Sequence, residues 1–201
     1  EESSVEEILE TGSHIKRTMK YVRILADKLK KHPKYKKVLT EEFIEQIEKT
    51  APLHDIGKVG VPDSILLKPG KLTREEFREM QRHAKIGHNA LSYSDPRLAS
   101  NAFIKLAREM AYTHHERWDG TGYPQGLKGE DIPISGRLMA VADVYDAMTT
   151  TRVYKAAQSH EQAVEEIRRC SGTFFDPEIV KIFLECEQEF YRIAQEFKDA
   201  L

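Results

Sequence analysis

Residues 134–150 read ISGRLMAVADVYDAMTT, and apolar or small side chains occupy most positions of this stretch. A helix with so narrow a polar face is typical of the interior of a helical protein. Asp143 lies in the middle of it, next to Ala142 and Val144. A carboxylate in such surroundings is rarely buried unless it is paired or binds a metal. The ordinary alternative is a carboxylate held by backbone amides.

Helical patterns surround this buried helix on both sides. Apolar residues recur every three or four positions over 5–32, up to Pro33, and side-chain caps predict where later helices begin. The predicted helices run over 5–32, from Thr40, from Thr73 with Glu76 through His83, over 101–115, over 134–150, from Ser159 with Gln162, and from Asp176-Pro177. A second helix, or one starting just after Pro52, leads into His54-Asp55. No alternating pattern pairs with Val61 and Ile65, so the predicted fold class is all-α.

Length and composition predict one domain over residues 1–201. The net charge of −2 gives no reason to expect long nucleic acids as partners, although a small anionic ligand is compatible with it. Cys170 and Cys186 form no CxxC pair, which favours a reducing, cytoplasmic setting over a disulfide framework.

The apolar runs are far shorter than a membrane span, so no membrane contact by this domain is expected. The chain begins at Glu1 without a Met. We expect an upstream sensory or receiver domain, with the helix over 1–32 transmitting its signal, and a homodimer formed through this helix is an open alternative.

Histidines and carboxylates concentrate where the pattern is apolar. His54-Asp55 and His114-His115 are adjacent pairs, and His83 lies on a helix between them. A single histidine of this kind is more often an ordinary packed or surface residue. Several helices that each direct an imidazole or a carboxylate inward are, however, typical of a metal site in a helical bundle. This donor set suits Fe, Mn, Ni, Co or Zn.

Two further features point to a substrate site, and the first of them to an anionic substrate. Lys58, one turn after His54, would add a cation beside such a site, although it could also be a simple helix C-terminal charge. The segment 116–133 contains four glycines and two prolines. Long loops in compact domains are usually functional. Trp118 and Tyr123 in this loop would stack on a base or, equally for Trp118, pack the loop against the domain.

The motifs in this order resemble a known family. Residues 54–58 (HDIGK), with 62–63 (PD) and 68–72 (KPGKL) behind them, are similar to the HD phosphohydrolase superfamily. Residues 114–124 (HHERWDGTGYP) resemble the HD-GYP family of bacterial cyclic di-GMP phosphodiesterases, which is named after such a Gly-Tyr-Pro. The similarity extends from about Glu10 to Pro177.

The resemblance implies an HD-domain helical bundle with a metal centre. Its implied ligands are His54, Asp55, His83, His114, His115 and Asp143. Family members with three metals add a Glu and a His, which match Glu10 and His14 here, so two and three metals both stay open. Fe or Mn is the expected metal, with Ni, Co and Zn as alternatives.

The resemblance also implies the reaction and the substrate contacts. Cyclic di-GMP would be hydrolysed to pGpG, with GMP as the product of a second cut. Asp55 would bridge the metals and Lys58 would neutralise phosphoryl oxygens, while Tyr123, Arg152 and Lys155 would contact substrate. The usual Arg-Pro-Tyr-Lys of the family is Arg152-Val153-Tyr154-Lys155 here.

Two alternatives concern function, and three histidines are set aside. Cyclic GMP-AMP is a rival substrate, and a degenerate sensor or docking domain is a rival class that usually lacks metal ligands. His88 does not match a ligand position of the family. His32 and His160 lie beside predicted helix boundaries and are expected to be solvated.

Overall fold

The computed structural model describes the backbone of residues 2–92, 101–150 and 157–198, and within these ranges the side chains from residue 12 onward. The α-helices are α1 (Glu2–Leu29), α2 (Glu41–Thr50), α3 (Asp63–Leu66), α4 (Arg74–Ser92), α5 (Ala102–Thr113), α6 (Ile134–Thr149), α7 (His160–Arg169) and α8 (Pro177–Glu196). Short 3₁₀ turns lie at Ala51–Leu53, Ile56–Gly60 and Gly129–Asp131. No strand is present among the described residues. The all-α prediction is confirmed.

Local capping explains where several helices begin. The Thr40 hydroxyl accepts a hydrogen bond from the Phe43 amide at the start of α2 (3.2 Å). Reciprocal capping boxes open α4 and α7, the first between Thr73 and Glu76 and the second between Ser159 and Gln162. These contacts satisfy amides that a helix leaves unpaired at its N-terminus, so the sequence signal and the structure have the same cause.

Helix α6 lies at the centre of the fold, in contact with α1, α5, α7 and α8. The largest fully buried side chains include aromatic residues that interlock around it. Tyr21 of α1 stacks on Phe190 of α8 with ring centroids 4.3 Å apart, and Tyr145 of α6 meets Phe190 edge-on at 5.2 Å. Asp143 and Val144 are only half-buried, so α6 is accessible to solvent on the side of Asp143.

The His-Asp motif does not continue α2. That helix ends at Thr50, and the motif lies between the two 3₁₀ turns that follow. Gly57 in the second turn packs so tightly on α4 that a Cβ there would lie 1.9 Å from the His83 carbonyl oxygen. The glycine of this motif is therefore required for backbone approach. Ile65, like its neighbours, belongs to the short helix α3.

The prediction for His160 was wrong. Its side chain is buried, with the Tyr145 hydroxyl 2.8 Å from Nδ1 and the Glu187 carboxylate bonded to Nε2. The first residue of a helix can face the core as readily as solvent, and here it faces α6 and α8. His32 is half-exposed near Glu178, in line with its prediction.

None of the described helices combines the length and apolarity needed to cross a bilayer.

Candidate metal centre

Four predicted ligands form a first cluster. Asp55 follows the first 3₁₀ turn, His83 lies on α4, and His114 and His115 follow α5. One donor atom from each of these residues lies within 4.8 Å of those of the other three. Asp55 Oδ1 is 3.3 Å from His83 Nε2 and 3.5 Å from His114 Nε2. We refer to Asp55, His83, His114 and His115 as cluster one.

Three further predicted ligands form a second cluster. His14 of α1, His54 and Asp143 of α6 also place one donor atom each within 4.8 Å of one another. Asp143 Oδ1 lies 3.9 Å from both His14 Nε2 and His54 Nε2. We refer to these three residues as cluster two.

Asp55 joins the two clusters. Its Oδ1 faces the imidazoles of cluster one, whereas its Oδ2 lies 3.3 Å from His54 Nε2 in cluster two. A carboxylate can offer one oxygen to each of two neighbouring metals. Lys58 donates a hydrogen bond to the same Oδ2, and its side chain is partly exposed. A cation therefore stands where the two clusters meet.

The imidazoles are held so that Nε2 points into the centre. Three of them bond through Nδ1 to a backbone carbonyl three or four residues earlier: His54 to Ala51 (2.8 Å), His83 to Met80 (2.6 Å) and His114 to Met110 (3.1 Å). A carbonyl can only accept, so Nδ1 carries the proton and Nε2 offers its lone pair. Such contacts are typical of histidines that ligate metals.

These residues fit a divalent metal. His54 Nε2 and Asp55 Oδ1 are buried, and neither has a hydrogen-bond partner. An unpaired buried polar atom is costly, and ligation by a metal removes that cost. Burial also lowers the pKa of His114 and, more strongly, of His115, which keeps both imidazoles in the neutral form that binds metals.

The charges around Asp55 favour its ionised form. Burial alone would raise the pKa of this carboxyl, but His54 and Lys58 hold it well below its usual range. For His54, burial lowers the pKa, yet Asp55 and Asp143 outweigh burial and raise it. A metal bound at His54 would therefore compete with a proton.

The glycine-rich loop folds back onto cluster one. The Tyr123 ring stacks on His115, with centroids 4.7 Å apart and planes 28° from parallel. Glu116, directly after His115, accepts hydrogen bonds from the amides of Gln125 (2.7 Å) and Leu127 (2.9 Å). A Cβ at Gly122 would lie 2.3 Å from the backbone nitrogen of Arg117, so this position also needs a glycine. These contacts place Tyr123 beside the centre.

Trp118 is bonded into the rest of the domain through its backbone. Its amide donates to the Phe174 carbonyl (3.1 Å), and its carbonyl accepts from the Gly129 amide (2.9 Å). The Arg137 guanidinium lies 5.9 Å from its ring centroid. The backbone contacts tie the loop to the segment before α8, and the ring faces Arg137 of α6.

Three predicted site positions lie outside the described residues: Arg152, Lys155 and the side chain of Glu10. His88 belongs to neither cluster. Its Nδ1 lies 3.4 Å from the Arg108 carbonyl oxygen and its ring packs on Tyr112 at 4.4 Å.

The sequence interpretation missed Asp146 and Arg17. Asp146 accepts hydrogen bonds from Arg17 and lies 2.8 Å from His14 Nδ1. Burial would raise the pKa of this carboxyl, but the contacts with His14 and Arg17 hold it below its usual range. A second aspartate one turn after Asp143 in the same apolar helix was the available signal.

Comparison with known proteins bears on this geometry. The family model described as HD domain matches residues 6–179. The chain belongs to the HD domain family. A cyclic di-GMP phosphodiesterase of Vibrio cholerae is 56% identical over 191 residues, which cover 95% of this chain and 39% of that protein. A 3'3'-cGAMP-specific phosphodiesterase 2 of the same organism is 43% identical over 190 residues, or 94% of this chain and 34% of that protein.

The HD domain chain thus spans less than half the length of these relatives. A solved cyclic GMP-AMP specific phosphodiesterase of V. cholerae matches with a TM-score of 0.56 at 18% identity, over 96% of this chain and 50% of that chain. At this identity the likeness concerns the fold alone, and it agrees with the all-α architecture.

Proposed function

We propose that this HD domain is a single catalytic domain that hydrolyses the phosphodiester bonds of cyclic di-GMP. The product would be pGpG and, after a second cut, GMP. The observation that carries the proposal is the Asp55 carboxylate, which turns one oxygen toward each of two histidine-rich clusters. The relative of 56% identity, named a cyclic di-GMP phosphodiesterase, supports this choice of substrate.

The proposed cofactors are two divalent transition metals, Fe or Mn first and Ni, Co or Zn as alternatives. Cluster one with Asp55 Oδ1 would hold one metal, and cluster two with Asp55 Oδ2 the other. A third metal would also need Glu10. When bound, such metals lower the pKa of water toward about 7 and neutralise charge on phosphoryl oxygens.

The residues of the chain have distinct proposed roles. Asp55 fixes the separation of the two clusters. Lys58, bonded to Asp55 and partly exposed, is placed to receive a negatively charged phosphoryl oxygen. Tyr123 lines the substrate side of cluster one, where burial raises the pKa of its phenol and keeps it protonated as a hydrogen-bond donor. Arg152 and Lys155 are proposed to bind phosphate.

A protein nucleophile is not part of the proposal. Cys186 is buried in α8, and burial raises the pKa of its thiol to about 12, so it stays protonated. Cys170 follows α7, and neither cysteine belongs to the two clusters. Hydrolysis by activated water needs no covalent intermediate, which agrees with a centre built only from imidazoles and carboxylates.

Cyclic GMP-AMP is the second candidate substrate, because a 43% identical relative is named for it. Both substrates present the same phosphodiester and differ in one base. We also propose that a sensory or receiver domain lies upstream of this domain and that α1 mediates a homodimer. The proposed location of the protein is the cytoplasm.

The test combines metal content with turnover. Protein purified with and without air is analysed for bound metal, and both cyclic dinucleotides are incubated with it side by side, followed by product analysis. We expect about two metals per chain and faster cleavage of cyclic di-GMP. Asp55→Asn should abolish both metal binding and cleavage. His88 is a histidine of α4 outside the clusters, so His88→Ala should change neither metal binding nor cleavage.

Each other result has a defined meaning. Preferred cleavage of cyclic GMP-AMP would select the second candidate. Bound metal without turnover of either substrate would favour the sensor interpretation. Protein without metal under both conditions would contradict the proposed centre.

A further inference from the structure

A buried ion pair stands directly behind His14. The Arg17 guanidinium donates to both oxygens of Asp146, with Nε 2.6 Å from Oδ1 and Nη2 3.0 Å from Oδ2. Both residues are at most 2% exposed. The same Asp146 Oδ2 lies 2.8 Å from His14 Nδ1. His14, Asp146 and Arg17 thus form a chain of contacts that ends at cluster two.

We propose that Asp146 and Arg17 are positioning residues, which orient His14 so that its Nε2 binds the metal of cluster two. The inference rests on the metal centre proposed above. It assigns to this pair a role in the affinity of one metal and not of the other.

The geometry explains why His14 needs such support. His54, His83 and His114 take their orientation from a carbonyl three or four residues earlier in the chain. His14 instead points its Nδ1 at a side chain of another helix, 132 positions away in sequence. With Nδ1–H donated to the carboxylate, Nε2 carries the lone pair and the ring is held in one orientation.

Arg17 holds this carboxylate in place and also connects three parts of the fold. Its Nη2 lies 3.2 Å from the Thr150 hydroxyl at the end of α6, and its Nη1 donates to the Phe197 carbonyl after α8 (2.6 Å). A bidentate contact fixes the plane of the carboxylate more firmly than a single bond. The orientation of His14 therefore depends on how α1 sits against α6 and α8.

The rival explanation is that the pair merely stabilises helix packing. The chain offers a matched control for this explanation: Arg137 Nη1 lies 2.7 Å from Asp176 Oδ2, and these side chains are 9% and 1% exposed. Arg137→Met breaks a buried Arg–Asp pair, as Arg17→Met does, but neither Arg137 nor Asp176 contacts His14 or belongs to a cluster. Asp146→Asn keeps the size of the side chain and removes its charge.

The experiment is a Mn²⁺ titration of the metal-free protein, followed by the electron paramagnetic resonance signal of the unbound ion. The wild type should bind two ions. In Asp146→Asn and Arg17→Met one of the two dissociation constants should rise about 10- to 100-fold, the usual effect of losing the partner of a ligand. The other constant should not change, and Arg137→Met should leave both unchanged.

A conservative variant sharpens the result. Arg17→Lys keeps the charge but contacts only one carboxylate oxygen, so its dissociation constant should lie between those of the wild type and Arg17→Met. If Asp146→Asn fails to fold, the titrations of Arg17→Lys and Arg17→Met still test the proposal. Thermal unfolding of the metal-free proteins reports the packing role separately, because the metal cannot influence it.

The outcomes separate this inference from the proposed function. If all variants bind both ions like the wild type, or if both constants rise together, the positioning role is wrong while the metal centre stands. If the wild type binds two ions and the variants lose one, but no cyclic dinucleotide is cleaved, the inference stands and the proposed function fails. A wild type that binds no ion overturns both.

Discussion

Clusters one and two use the same donor types but are assembled differently. In cluster one, His83 and His114 are oriented by carbonyls of their own helices, and His115 is covered by Tyr123. In cluster two, His14 and Asp143 come from α1 and α6, and His14 depends on Asp146. His83, His114 and, in cluster two, His54 are thus oriented by carbonyls nearby in sequence, whereas His14 depends on a carboxylate of another helix.

This difference suggests a division of labour. Because His14 is the ligand whose orientation depends on another helix, the metal of cluster two should be the more weakly bound. A shift between α1 and α6 would change the contact of His14 with Asp146. If α1 transmits a signal from another domain, as proposed above, a movement of α1 would change the position of His14 in cluster two.

The largest effect should come from Asp55, because it is the residue shared by both clusters. Asp55→Asn removes the charge that links them, so we expect loss of both metals and a fall in turnover of at least about 1,000-fold, or about 4 kcal/mol. Metal analysis and initial rates measure this. Retention of both metals would show that Asp55 does not bridge them.

Two further variants should show that each cluster binds its own metal. His83→Ala removes a ligand of cluster one and His14→Ala a ligand of cluster two, so each protein should keep one metal and lose about 100-fold or more in turnover. Metal content after dialysis distinguishes them. The protein with His83→Ala should lose the more tightly bound ion, and the opposite order would contradict the comparison.

Lys58 should affect substrate without affecting either metal. Lys58→Met removes a cation that contacts Asp55 but contributes no ligand atom, so both metals should stay bound. Turnover of the cyclic dinucleotide should fall about 10- to 100-fold, less than at an enclosed site because the side chain is partly exposed. Steady-state kinetics with metal analysis on the same sample would test this. Loss of metal would show that Lys58 supports the metal centre and does not act only on the substrate.

The last pair of substitutions concerns stability and not turnover, at Gly57 beside cluster one and at Gly12 of α1. A Cβ at Gly57 would clash with backbone atoms of His83 and Gly87, so Gly57→Ala should destabilise the protein by about 3 kcal/mol. Gly12 of α1 has nothing within 4 Å of such a Cβ, and Gly12→Ala should stabilise the protein by about 1 kcal/mol as a helix substitution. Urea unfolding measures both. Equal effects would mean that α4 is not packed as described.

Much of the fold was predictable because its signals are local. The helix starts at Thr40, Thr73 and Ser159 follow from side chains that cap the amide three residues later, and the structure confirms them. The apolar pattern of 134–150 likewise predicted the central helix. Helix ends shifted by a few residues, because fraying and turns there depend on neighbours.

The resemblance to the HD-GYP family named seven histidines and aspartates that the structure brings together. Nothing in the sequence divides them into two clusters or turns the two oxygens of Asp55 apart. The pair of Arg17 and Asp146 is 129 positions apart in sequence, so only tertiary packing brings it to His14. The burial of His160 escaped prediction for the same reason, since α8 supplies its partner Glu187.

Anomalous diffraction at the absorption edge of the bound metal would test the central claim most directly. We predict two peaks on opposite sides of the Asp55 carboxylate, one contacted by His83, His114 and His115 and the other by His14, His54 and Asp143. A single peak, or two peaks that do not share Asp55, would contradict a bridged centre.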